Sequence, residues 1–171
     1  MDISFRKAVL TLSAFTFISF NIGCSKDEEV AAPAQEFVAA DADIANYSTW
    51  TKTAENLEGP DPAGLIGAAH EANNMDVRRT VFLNKPNNKS NGKWANGTIL
   101  VKEMRHKDGR LLAAMGMVKR GASFNTTHNG WEWFIVKDGK IADRAAGLMD
   151  GMCNGCHSSS KDTYDYVFTK R

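Results

Sequence analysis

The chain has 171 residues, with 21 Lys and Arg against 20 Asp and Glu, 43% hydrophobic residues and three Cys. That length holds one domain or at most two small ones, and a net charge of +1 excludes the strongly basic face that nucleic-acid binding needs. A charged fraction of 24% fits neither a disordered acidic tail nor a polytopic membrane protein, which leaves one soluble globular domain with a segment at its front.

At that front, Arg6 and Lys7 precede an uncharged, mostly apolar run from Ala8 to Gly23. This is the layout of a secretory signal, and it is short for a spanning helix, which needs about 20 residues. The run ends Asn21-Ile22-Gly23-Cys24, which resembles a bacterial lipobox. Residues 1–23 are therefore expected to be a signal peptide, with Cys24 as the lipidated first residue of the mature chain. The alternative is an ordinary signal cut nearby, leaving Cys24 as a lone thiol, a liability in an oxidising compartment. Loss of Asp2, Arg6 and Lys7 makes the mature chain neutral. Ser25-Lys26-Asp27-Glu28-Glu29 resembles an acidic surface-export signal, or is a solvated spacer. Residues 24–35 read as a lipidated tether and residues 36–171 as the domain. The expected location is exported and lipid-anchored to a bacterial membrane, facing the periplasm or on the outer-membrane surface.

Phe37, Ala40, Ile44 and Tyr47 recur at helical spacing and predict one short amphipathic helix. Gly59-Pro60-Asp61-Pro62 breaks any helix. The period then changes. Val77 to Leu83, Thr98 to Arg105, Leu111 to Lys119 and Trp131 to Lys137 are short runs rich in β-branched, aromatic and aliphatic residues. Turn chemistry separates them at Lys107-Asp108-Gly109, Asn129-Gly130 and Lys137-Asp138-Gly139, and a polar loop spans Asn84 to Asn91. A helical turn is expected near Ala145 to His157, and Thr163 to Lys170 as a last strand. The predicted class is mainly β, an antiparallel sheet with a few short helices.

The chemistry concentrates in Cys153-Asn154-Gly155-Cys156-His157, the attachment motif for a c-type haem. Two thiols three positions apart reach the two vinyl groups of one porphyrin, and the adjacent His157 then binds the iron. A disulfide loop, a redox dithiol and a zinc half-site are the other readings of this spacing. Zinc wants four ligands and there is no second Cys pair; a dithiol motif expects a βαβ context, which is missing here. A class I cytochrome c carries its motif early with a Met ligand downstream, whereas little chain follows His157. Four-helix cytochromes c′ need long segments of period 3.6, and this chain alternates with period two.

Val77-Arg78-Arg79-Thr80-Val81-Phe82, then Trp94 through Glu103, then Asn129-Gly130-Trp131-Glu132-Trp133-Phe134, the Cys153 to His157 motif and Asp165-Tyr166-Val167-Phe168 follow one another in this order. In that order the chain resembles the cytochrome P-460 family, including its relative cytochrome c′-beta. The resemblance implies a mainly β fold, usually a homodimer, holding one haem with a five-coordinate iron and an open distal face. P-460 members oxidise hydroxylamine, and c′-beta members bind nitric oxide and other small gases.

In P-460 members a Lys after the Gly-Thr turn cross-links to the haem edge, and Lys102 stands at that position. Strand alternation puts Lys102 on one face with Thr98, Leu100 and Met104, and puts Ile99, Val101 and Glu103 on the other. Partial burial between Leu100 and Met104 favours the neutral, nucleophilic amine, whereas an edge Lys is ordinarily solvated. Arg79 matches a basic position near the haem, for a propionate or a distal ligand, or is a surface Arg. Trp94 matches an aromatic position near the haem, or is plain core. Hydroxylamine oxidation sheds protons, and where the family places an acid this chain has Leu148, with Asp150 and Asp143 nearby. Met115, Met117, Met149 and Met152 read as packing residues, and His70, His106 and His128 as loop or turn residues. Two functions follow: an enzyme oxidising hydroxylamine and passing electrons to an external acceptor, or a nitric oxide binder without turnover. A six-coordinate electron-transfer cytochrome is the third.

Overall fold

The structure, a computed structural model, describes residues 35–57, 77–121 and 123–168. The signal and lipidation segment with Cys24, the Gly59–Pro62 breaker and His70 lie outside the described residues.

Six strands form one antiparallel sheet in the order β1 (Thr51–Leu57), β2 (Val77–Leu83), β5 (Ile99–His106), β6 (Leu111–Lys119), β7 (Trp131–Lys137) and β8 (Lys140–Ala145). A small hairpin of β3 (Lys89–Ser90) and β4 (Lys93–Trp94) stands in the β2–β5 connection. Four of these strands match the predicted runs to within a residue. β1 and β8 did not register as strands, because Lys140-Ile141-Ala142-Asp143-Arg144-Ala145 lacks the β-branched and aromatic density of its neighbours. β8 forms because β7 offers it a ladder across the Asp138-Gly139 turn, whose two positive φ angles (52° and 73°) suit a tight hairpin.

Alternation gives the sheet two apolar faces, each covered by one end of the chain, so the domain is three layers deep. Leu83, Leu100, Met117 and Trp133 face upward and pack with Leu148, Tyr166 and Val167 from the C-terminal segment. Ile99, Val101, Val118, Phe134 and Val136 face downward and pack with Ala39, Ile44, Phe37 and Tyr47. The predicted N-terminal helix is one turn only, α1 (Asp41–Ile44), followed by a 3₁₀ turn at Tyr47–Thr49. Phe37 instead belongs to an extended strap whose N–H donates to the Arg120 carbonyl at 2.8 Å. Gly116 sits mid-strand because the Phe134 ring lies over it, where a Cβ would meet Phe134 Cζ at 2.2 Å.

The buried carboxylates of the sheet point downward. Glu132 accepts from Arg120 and Arg144, and Glu103 accepts from Tyr47 Oη at 2.6 Å and from Arg105 Nε at 2.7 Å. Burial alone pushes the Glu103 carboxyl up, but the Arg105 and Tyr47 bonds outweigh it and hold it below its ordinary value of 4.5. A lowered folded pKa means stability that is present above the ordinary value and lost as pH falls through the folded one. Melting curves across this range should therefore show the melting temperature of the wild type falling in acid. Glu103→Gln should melt lower at neutral pH, by about 2 kcal/mol for the broken network, and show a shallower acid slope.

The C-terminal segment corrects one expectation. Thr163 to Lys170 is not a strand over its described part: α3 (Lys161–Tyr164) runs into Asp165 and Tyr166, both left-handed, with φ of 52° and 68°. The helical turn expected near Ala145 to His157 forms over its later part, as α2 (Met152–His157), which contains the Cys motif.

Candidate functional site

Helix α2 carries both thiols and the imidazole on a turn and a half, and its length is set by its flanks. Gly151, at φ 80°, starts it after the left-handed Met149 and Asp150. Three serines close it: the Ser158, Ser159 and Ser160 hydroxyls donate to the carbonyls of Asn154, Cys156 and His157 at 2.7–2.9 Å. These satisfy carbonyls that a helix end leaves open.

The helix is pinned to the upper face through Asn154, the first variable residue of the motif. Its Oδ1 accepts from Trp133 Nε1 at 2.7 Å, and its Nδ2 donates to the Ala146 carbonyl at 2.8 Å. The Trp133 ring then packs on the His157 imidazole, with centroids 4.5 Å apart, while Phe168 packs on it at 5.0 Å. His157 Nδ1 lies 2.6 Å from the Tyr166 carbonyl oxygen. A carbonyl only accepts, so Nδ1 carries the proton and the lone pair resides on Nε2, the tautomer that a metal ligand needs.

Register brings the remaining residues to the same face. Lys102 lies directly opposite Val81 on one side and Met115 on the other; Met115 faces Ile135, and Ile135 faces Asp143. Val81 and Ile135 pack against the same cluster as Cys153. Lys102 is half-buried on this face, near enough that its charge acts on the Cys153 thiol. Burial, helped by the neighbouring Cys156, raises that thiol to about 11 against the opposing pull of a backbone hydrogen bond and of Lys102.

Arg79 occupies the next row, opposite Met104. It is 5% exposed, and among the described residues its Nη1 has no hydrogen-bond partner. Trp94 is buried in the upper cluster with its Nε1 likewise unpartnered and the Lys89 ammonium 4.2 Å from its ring centroid. Orphaned buried donors cost about 1–3 kcal/mol each. Their presence here fits a site built to receive a group carrying acceptors. Asp143 shares the face but stands on the exposed edge strand, three strands from Lys102, or roughly 14 Å. Asp150 lies in the exposed turn before α2, and Leu148 between them is core. Neither carboxylate is brought to Lys102. Met117 is core and Met115 half-buried beside Lys102, while Met149 and Met152 are exposed.

Paired thiols, an imidazole in the ligating tautomer and two orphaned donors on one face suit a covalently held haem. The cytochrome P460 family model matches residues 44–169, a span that takes in every strand and the Cys motif. The chain belongs to the cytochrome P460 family. It is thus a c-type haem cytochrome, and the fold expected from its motifs is the one it adopts. Comparison with curated proteins gives no match.

Sequence reasoning attached no role to Trp133, Asn154, Lys119 or Asp165. Trp133 and Asp165 lay within the stretches that resemble the family. A charge inside the apolar Tyr164–Phe168 run, and another closing the apolar Met117-Val118 strand, were the available signals for Asp165 and Lys119.

Proposed function

We propose that this cytochrome is an exported, lipid-anchored mono-haem protein that oxidises hydroxylamine, or reacts with related small nitrogen compounds, and passes electrons to an external acceptor. The observation that carries the reading is Lys102, half-buried and set by strand register beside Val81 and Met115 on the face against which Cys153 packs. When bound, the haem would supply a redox-active, Lewis-acidic iron able to bind a small nitrogen compound.

The chain's own residues divide the rest. Cys153 and Cys156 would hold the macrocycle by thioethers, and His157, its Nδ1 proton directed at the Tyr166 carbonyl, would offer Nε2 to the iron. Lys102 is assigned the cross-link to the haem edge, which tunes the macrocycle. Arg79 Nη1–H and Trp94 Nε1–H are donors for a propionate or an anionic ligand. Asp143 and Asp150 are both exposed, and neither is brought beside Lys102. Anchoring through Cys24 and assembly as a homodimer belong to the same proposal.

A second reading, a nitric oxide binder without turnover, is favoured by the exposure of those two carboxylates, since neither supplies a buried base. An optical spectrum of the ferrous protein, with a hydroxylamine-dependent reduction assay, separates the two. A P-460-type band with turnover is expected. An ordinary high-spin c-type spectrum with nitric oxide binding and no turnover selects the binder, and a low-spin spectrum overturns both in favour of electron transfer.

A further inference from the structure

Asp165 and Tyr166 are consecutive non-glycine residues in the left-handed region, at φ 52° and 68°. L side chains resist that conformation because Cβ crowds the following carbonyl, so the surroundings must hold it. What holds it is the Asp165 carboxylate, only 3% exposed. Its Oδ2 accepts from the Trp94 backbone N–H at 2.8 Å and from Lys119 Nζ at 3.0 Å. Its Oδ1 accepts from Asn129 Nδ2 at 2.5 Å, Lys119 Nζ at 3.2 Å and, more distantly, Trp131 Nε1 at 3.4 Å. One carboxylate thus gathers donors from β4, β6, the β6–β7 loop and β7.

Lys119 is itself buried; burial lowers its pKa, while the Asp165 bond works to keep it charged. The ion pair is therefore a costly feature that breaking on one side would expose. The next carbonyl along the chain, that of Tyr166, is the one that accepts the hydrogen bond from His157 Nδ1–H. The Tyr166 hydroxyl donates to the Thr127 carbonyl at 3.2 Å, which keeps this residue on the same β6–β7 loop.

We propose that Asp165 is a positioning residue for the axial ligand: by fixing the left-handed turn it aims the Tyr166 carbonyl at His157 Nδ1. The inference rests on His157 being the iron's ligand. A close acceptor at Nδ1 gives the imidazole anionic character, which strengthens its donation through Nε2 and stabilises the ferric state. Asp165 also balances the buried Lys119 cation, whose uncompensated charge would favour the ferrous state. The two effects move the reduction potential in the same direction, but only the first reaches the iron–histidine bond.

The test uses the haem-loaded protein. Asp165→Asn should keep its haem, because the thioethers are untouched. Its ferrous iron–histidine stretching band should move to lower frequency in resonance Raman spectra, and its potential should rise. Adding Lys119→Met restores neutrality, so the potential should move part of the way back while the band stays low. A band at the wild-type frequency in Asp165→Asn overturns the proposal, since a charge effect alone would move only the potential. If Asp165→Asn does not accumulate, Asn129→Ala removes one donor and spares the ion pair; a smaller fall in the same band is expected, and an unmoved band overturns the proposal. A wild-type band that survives His157→Ala refutes the ligand assignment itself, and the proposal with it.

Discussion

Replacing Cys153 and Cys156 together by alanine removes both thioethers, and in the Lys102→Leu background, where no cross-link can hold the group, it abolishes covalent haem. After denaturing electrophoresis that variant carries no haem stain, whereas the wild type, matured by a cytochrome c assembly system, keeps it. The effect is all or none because thioethers survive conditions that dissolve every packing and coordination contact. Single variants should retain one thioether and part of the stain. Cys156 is buried, and Cys153 is half-buried against the upper apolar cluster. Shortening each to alanine removes only one sulfur atom per site, so the substitutions themselves perturb packing little. Circular dichroism on the same samples checks this: the sheet signal persists while the haem is gone. A haem stain that survives in that variant would mean attachment through other residues.

The second large effect is on Lys102. Strand register sets it directly beside Val81 and Met115, with Leu100 and Met104 flanking it on the same face, half-buried on the side of the sheet that bears Cys153. If the cross-link forms, a digest yields one haem-bearing species that contains both the Cys153–Cys156 peptide and the Lys102 peptide. Lys102→Leu should keep the thioether-bound haem but shift the ferrous spectrum toward that of an ordinary high-spin c-type haem. Hydroxylamine oxidation should drop by at least about tenfold, or 1.4 kcal/mol of barrier. Nitric oxide binding should persist, because it needs only an open iron. A wild-type digest that releases Lys102 unmodified, together with absent turnover, removes the enzymatic reading and leaves the binder.

Only Lys102 among the candidate catalytic residues is carried by register to the Cys153 face at a half-buried position. Asp143 reaches the face at its edge and Asp150 stays in a turn. The asymmetry matters for mechanism. Asp143, exposed on β8, stands three strands from Lys102, so its removal should affect turnover less than removal of Lys102.

Local signals carried much of this protein. Period-two alternation places β2, β5, β6 and β7, because a half-buried strand must turn every second side chain inward. The Asp138-Gly139 and Asn129-Gly130 pairs mark turns, because those residues tolerate positive φ. The Cys153–His157 spacing names the haem chemistry, because one helical turn suffices to present both thiols and the imidazole. Tertiary structure decided the rest. β8 exists because β7 pairs with it, not through its own propensity. Thr163 to Phe168 carries strand-forming residues, yet becomes a helical turn and a left-handed corner once Lys119, Asn129 and the Trp94 N–H capture Asp165. The row Val81, Lys102, Met115, Ile135 and Asp143 comes together through strand register, a long-range property that no local window contains. Lys102 and Cys153 are far apart in the chain, and only the order and register of β2, β5, β6 and β7, with the C-terminal segment folded over them, put both on one face.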